Sequence, residues 1–131
     1  MNRRTLVQAA LALALVPGLA RAQAYPAKAI RIVNPFYAGG GLDQLARNLA
    51  QKLSESTGQS VVVENRTGAS GNIGAELVAR EKADGYTLLM GSSATHGISP
   101  ALFGARLPFD PGKDFTAISV SVVQKNVLVV N

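Results

Sequence analysis

The chain has 131 residues, 47% hydrophobic and 16% charged, with 13 glycines, 6 prolines and no cysteine. That length suits one domain of roughly 100 to 200 residues. The apolar share excludes a disordered chain, and the lack of cysteine removes disulfides, thiolate nucleophiles and cysteine-based metal centres. The net charge of +5 is a poor guide to partners, because Arg3, Arg4 and Arg21 precede residue 25, after which ten basic residues face eight acidic ones. No arginine-rich face remains to follow a phosphate backbone, so nucleic acid is not an expected partner.

Residues 1–24 read as a cleaved signal peptide. Asn2-Arg3-Arg4 forms a basic start, Leu11-Ala12-Leu13-Ala14-Leu15-Val16 an apolar centre, and Pro17-Gly18 a helix breaker. Two small-x-small sites follow, ending at Ala22 and Ala24. This is the layout of secretion rather than of a membrane span, which needs about 20 apolar residues. The expected location is the periplasm, and residues 25–131 remain to fold.

Ile30 to Asn34 is β-branched and reads as the first strand. After the loop Pro35-Phe36-Tyr37-Ala38-Gly39-Gly40-Gly41, Leu42, Leu45, Ala46, Leu49, Ala50 and Leu53 recur at helical spacing, and Gly58 stops the helix. Ser60 to Glu64 is the second strand; its run of three valines predicts an interior strand covered on both faces. A second small-residue loop, Asn65 to Gly71, leads to a helix from Asn72 that should bury Ile73, Leu77 and Val78. Tyr86 to Met90 is the third strand, and Gly91 to Gly97 leads to a short helix at Ser99 to Phe103. Phe115 to Val123 and Asn126 to Val130 read as two further strands. Strand, loop and helix in threefold succession predict a parallel α/β sheet with right-handed crossovers, and ligands at the strands' carboxyl ends.

The loops allow more than one chemistry. Gly39-Gly40-Gly41-Leu42-Asp43 matches neither nucleotide-binding glycine motif. Glu64, about 20 residues on, is placed as the ribose acid of a dinucleotide fold would be. Alternatively, the N–H groups of Ala38 to Gly41 cradle a carboxylate, with Gly40 needed for its dihedral freedom, or the loop is only a flexible connection. Asp43 reads as a helix cap, alone or with a contact to ligand or water. Ser70 and Asn72 are alternative caps of the next helix, in a loop that either grips an organic acid or simply turns. Ser92, Ser93, Thr95 and His96 are candidate ligand donors, and His96 alternatively fills a structural role. The single histidine has no metal-ligand partners in the pattern, and no GxSxG elbow or nucleophile–base pair assembles an enzyme.

Five ordered blocks carry a family resemblance: Tyr25-Pro26 through Val33; Pro35 to Asp43; Val61-Val62-Val63-Glu64-Asn65-Arg66-Thr67-Gly68 through Gly74; Asp84-Gly85-Tyr86-Thr87-Leu88-Leu89; and Leu107-Pro108-Phe109-Asp110-Pro111 with Lys113-Asp114-Phe115. The chain resembles the periplasmic substrate-binding receptors of tripartite tricarboxylate transporters, the Bug family. That resemblance implies a type II periplasmic-binding fold, of which residues 25–131 would be part of the amino-terminal lobe, a parallel-dominated sheet flanked by helices, with the second lobe missing. It implies a solute-binding receptor, not an enzyme and without cofactor or metal. The receptor would capture a mono-, di- or tricarboxylate for integral-membrane permease subunits. The alternative is an exported hydrolase or transferase with its catalytic residues elsewhere; a sensor domain of a transcription regulator would have a helix-turn-helix where this chain has a signal peptide. The binding positions implied are Tyr37, Ala38, Gly39, Gly40 and Asp43 in the first loop and Thr67, Gly68, Ala69, Ser70, Gly71 and Asn72 in the second. Ser92, Ser93, Thr95 and His96 would lie nearby in the third. The family often has proline where this chain has Tyr37, Thr67 and Ala83, and glycine in place of Ser70.

Overall fold

The computed structural model describes residues 24–123. Residues 1–23 of the expected signal peptide and the expected strand Asn126 to Val130 lie outside the described residues. Three strands, β1 (Ile30–Asn34), β2 (Val61–Asn65) and β3 (Thr87–Leu89), form one parallel sheet in the order β2-β1-β3. Helix α1 (Gly41–Thr57) joins β1 to β2, and α2 (Asn72–Ala79) carries the chain across β1 to β3. A short helix, α3 (Ser99–Phe103), follows. Among the described residues no helix is long and apolar enough to cross a membrane.

Alternation along β1 divides the core. Ile32 faces Ala46 and Ala50 of α1, with Leu88, Met90, Val61 and Val63 completing that layer. Arg31, on the other face, pairs with Glu64 of β2 at 3.1 Å and with Glu81, just beyond α2, at 2.5 Å. The helices therefore flank the sheet on opposite sides. α1 ends as its sequence requires, with Gly58 in the left-handed region (φ 70°) and its N–H on the Ser54 carbonyl. At the sheet's other end, Tyr25 donates to the Gly85 carbonyl at 2.6 Å, and Lys28 lies 4.3 Å over the Tyr86 ring while paired with Asp84.

Four expectations are corrected. The interior strand is β1, not β2: among the described residues β2 pairs only with β1, and Val62 is 53% exposed. A run of valines signals strand propensity but not strand order, which the crossovers set. α2 buries Asn72, Gly74 and Ala75, whereas Ile73 is 51% exposed. Small residues face inward there because an added Cβ at Gly74 would lie 2.7 Å from the Arg66 carbonyl and 2.9 Å from Pro35 Cβ. Phe115 to Val123 is not a strand: it runs without ladder partners among the described residues, and Ile118, Val120, Val122 and Val123 are exposed. β-branched residues favour extended backbone, but a strand also needs a paired neighbour. Strand β3 is shorter than Tyr86 to Met90, although the Arg31 N–H to Tyr86 and the Met90 N–H to Val33 continue the pairing at both ends.

Candidate functional site

All three strand–helix loops emerge at the carboxyl edge of the sheet. In the strand order 2-1-3 the switch point lies between the adjacent strands β1 and β3, flanked by the first and third loops, and it is there that open α/β sheets bind ligands. β1 and β2 end in asparagines that pair in register, Asn34 with Asn65. Asn34 turns the first loop through bonds with Phe36, donating to its carbonyl and accepting from its N–H, both at 3.3 Å. Asn65 donates to the same carbonyl at 3.1 Å.

Both amides also reach Asp43, which is only 2% exposed. Asp43 Oδ1 accepts from Asn65 Nδ2 at 2.8 Å and Asn34 Nδ2 at 3.4 Å; Oδ2 accepts from Arg47 Nε and from the Gly39 N–H, each at 2.9 Å. Four donors match the acceptor capacity of a carboxylate. The Arg47 bond, then the Gly39 N–H and Asn65, hold this carboxyl well below the usual carboxylate range. Asp43 is thus not the cap at the start of α1, which is Gly40. It sits in the first turn and reaches back to Gly39. Since that N–H is engaged, Ala38, Gly40 and Gly41 are the remaining candidates for a first-loop cradle. Gly39 (φ 82°) is the residue that needs glycine here, whereas Gly40 (φ −74°, ψ 168°) is ordinary extended backbone, contrary to the sequence expectation.

The second loop is left-handed through four residues: Gly68 (φ 127°), Ala69 (47°), Ser70 (57°) and Gly71 (92°). Ser70 and Asn72 make no side-chain capping bond to α2. Gly71 joins the loops, because a Cβ there would meet Thr95 Cγ2 at 2.9 Å and Phe36 Cζ and Pro35 Cβ at 3.3 Å. First, second and third loops therefore touch at one glycine. Asn72 is 7% exposed and its Oδ1 is buried without a hydrogen-bond partner.

In the third loop, residues Ala94–Ile98 wind as one wide π-type turn before α3. Thr95 is fully buried, and His96 is half-buried with its Nδ1 2.8 Å from Thr95 Oγ1. The His96 ring stands edge-on to Phe115 at 4.9 Å and 6.4 Å from Phe109. Burial lowers its pKa.

The candidate residues thus fall into two groups. Tyr37, Ala38, Gly39, Gly40, Ala69, Ser70 and Ser93 are exposed along the edge, with Thr67, Gly68 and Ser92 half-buried behind them. Asp43, Gly71, Asn72 and Thr95 are buried and knit the loops from beneath. Sequence reasoning missed Asn34 and Arg47. The signals were present: each of the first two strands ends in asparagine, and Arg47 follows Asp43 at i+4. Arg66 and Arg80 face solvent in pairs with Glu64 and Glu76, as surface charges rather than a clamp. Among the described residues no cluster of His, Asp or Glu could hold a metal ion. An open hollow of about 440 Å³ beside Phe109 and Pro111 and another of about 490 Å³ beside Ile73 and Glu81 are lined by none of the candidate residues.

Comparison with known proteins gives this edge its context. The profile of the tripartite tricarboxylate transporter family receptor matches residues 45–131. A Pseudomonas protein from the tcbD-tcbE intergenic region is 40% identical over 130 residues, which cover 97% of this chain and 38% of that protein. MatC from Rhodopseudomonas palustris, solved with bound malate, is 39% identical with a TM-score of 0.66 over 70% of this chain and 31% of its own. A second R. palustris protein, solved with adipate, is 43% identical with a TM-score of 0.63 over 67% of this chain and 29% of its own. The chain spans about a third of the length of the curated relatives it matches. Its parallel sheet with flanking helices matches part of a type II periplasmic-binding lobe. With the family's profile matching residues 45–131, the chain belongs to the tripartite tricarboxylate transporter receptors, a family of periplasmic solute-binding proteins rather than enzymes.

Proposed function

We propose that this chain supplies one wall of an extracytoplasmic receptor that captures a small organic carboxylate for the permease subunits of a tripartite tricarboxylate transporter. The observation that carries the reading is the meeting of three loops at Gly71, directly before α2, where Pro35 and Phe36 of the first loop and Thr95 of the third converge. Helix amino-termini and left-handed turns present N–H groups and partial positive charge, which suit a carboxylate without a buried cation. The exposed main chain at Ala38, Gly40, Ala69 and Ser70 is where such a ligand would bind, with Tyr37, Thr67, Ser92 and Ser93 around it. The malate and adipate of the two R. palustris structures support the ligand class. Residues 1–24 act as a signal peptide removed after Ala24, so that residues 25–131 form the lobe segment.

Isothermal titration with acetate, succinate, malate, adipate and citrate, against adenosine monophosphate as control, tests the ligand class. Saturable heat from at least one carboxylate and none from the nucleotide is expected. Nucleotide binding without carboxylate binding overturns the proposal. The mass of periplasmic protein tests processing: a species starting at Tyr25 is expected, and one retaining Leu11 to Val16 overturns cleavage.

A further inference from the structure

The Thr95 hydroxyl is the most contested polar group of the third loop. It accepts from the Ser92 N–H at 3.2 Å, lies 3.3 Å from Ser92 Oγ and 3.1 Å from the Ser92 carbonyl, and stands 2.8 Å from His96 Nδ1. A hydroxyl has one proton and two lone pairs. It can donate to the Ser92 carbonyl or to His96 Nδ1, not to both. The other end of Thr95, its methyl, occupies the space a side chain at Gly71 would need. His96 is held in turn by Phe115, by Phe109, and by Gly91, where a Cβ would sit 3.3 Å from the ring.

We propose that Thr95 and His96 are positioning residues of the binding edge rather than ligand contacts: His96 directs the Thr95 hydroxyl, and Thr95 sets the spacing between Ser92 and the Gly68–Gly71 turn. This rests on the carboxylate-receptor reading. A side chain without exposed surface cannot meet a ligand directly, yet this one touches both loops that would. With neutral His96 accepting at Nδ1, the Thr95 proton points to the ring. Once Nδ1 gains a proton it donates to Thr95 Oγ1, and the Thr95 proton turns to the Ser92 carbonyl. The charged groups of the packed turn are engaged with one another: Asp110 pairs with Lys113 at 3.1 Å, and Asp114 accepts the Asp110 N–H at 2.6 Å. His96 thus answers to aromatic and hydroxyl neighbours, not to a counter-charge.

Amide hydrogen exchange on the full chain, with titration of succinate and malate, tests the proposal through Thr95→Val, Thr95→Ser and His96→Phe. Thr95→Val keeps the methyl and removes the hydroxyl, so Ser92 protection should fall about tenfold while Gly71 is unchanged. Thr95→Ser should do the reverse, loosening Gly71. Protonation of Nδ1 adds a second donor to Thr95 Oγ1, so wild-type Ser92 protection should fall from pH 7 to pH 5, and His96→Phe, which keeps the ring packing, should abolish that fall. Both substitutions that disturb the spacing should weaken succinate or malate binding. Should Thr95→Val not fold, the other two variants carry the same contrast. Unchanged protection at Ser92 and Gly71, or equal loosening that extends to Ile32 in β1, overturns the positioning role. A wild-type chain with the expected exchange pattern that binds neither acid overturns the receptor reading instead.

Discussion

The first and third loops are fastened by opposite means. Beneath the first loop, a buried carboxylate gathers a guanidinium, two amides and a main-chain N–H, so the loop depends on Asp43 being charged. Beneath the third, a half-buried imidazole rests among two phenylalanines and a hydroxyl, so that loop favours His96 uncharged. The carboxylate tolerates burial because every lone pair has a donor. The imidazole tolerates it by favouring its neutral form, since among the described residues no counter-charge faces it. The two fastenings therefore fail in different pH ranges while sharing one contact at Gly71.

The largest effect should come from the seat of α2 beside that joint. Gly74→Ala places a Cβ against the Arg66 carbonyl and Pro35, and overpacking against backbone costs about 1–3 kcal/mol. An exposed helical glycine would instead gain about 1 kcal/mol from the same change. The sign of the shift in a urea melt therefore reports whether α2 sits on the first loop.

Asp43→Asn separates charge from shape at the first loop. The folded carboxyl is held below its ordinary value, so its stabilisation is complete above about pH 4 and is lost as pH falls below that. Thermal melts of the wild type should fall steeply in that range. The Asp43→Asn variant should melt lower at pH 7 and show a flatter acid slope; an unchanged slope would show that the network does not depend on charge.

A smaller effect is expected from Gly39→Ala, which forces a side chain into φ 82° and should cost about 1 kcal/mol. Its neighbour provides the comparison: Gly40→Ala, at φ −74°, adds no left-handed strain and should lose only the N-cap preference of glycine over alanine, about 0.5 kcal/mol, while disturbing carboxylate binding if the main chain there is approached closely. Equal stability losses at the two positions would erase the distinction.

The His96 dependence should be the gentlest. Its folded pKa is lowered by burial, so the stabilisation is complete above about pH 6.5 and declines as pH falls below it. His96→Phe should remove that decline and leave the Asp43 slope intact. A wild-type melt that is flat from pH 7 to 5 would contradict the contrast between the loops.

How far the sequence reaches is shown by particular elements. Ile30 to Asn34, the stop at Gly58 and the short helix Ser99 to Phe103 were readable because β-branching, glycine and spacing act over a few neighbouring residues. The three loops and their common edge followed from the order of strands and helices, since parallel strands need crossovers on fixed sides. What escaped was everything that depends on residues distant in the chain. Three valines cannot say that β2 lies beside a single partner in the described structure. Nor can Ile73 reveal that Gly74, not itself, meets Pro35.

The same division runs through the site. Residue types alone marked small, N–H-rich loops and, with no cysteine in the sequence, excluded disulfides, thiolate nucleophiles and cysteine-based metal centres. That Asp43 reaches back to Gly39, that Asn34 and Asn65 meet over it, and that Thr95 fills the space beside Gly71 were decided by folding. Local propensity is a sum over neighbours along the chain, and composition carries it. The loop fastenings instead depend on packing and hydrogen-bond geometry among residues brought together only when the sheet and its two helices close.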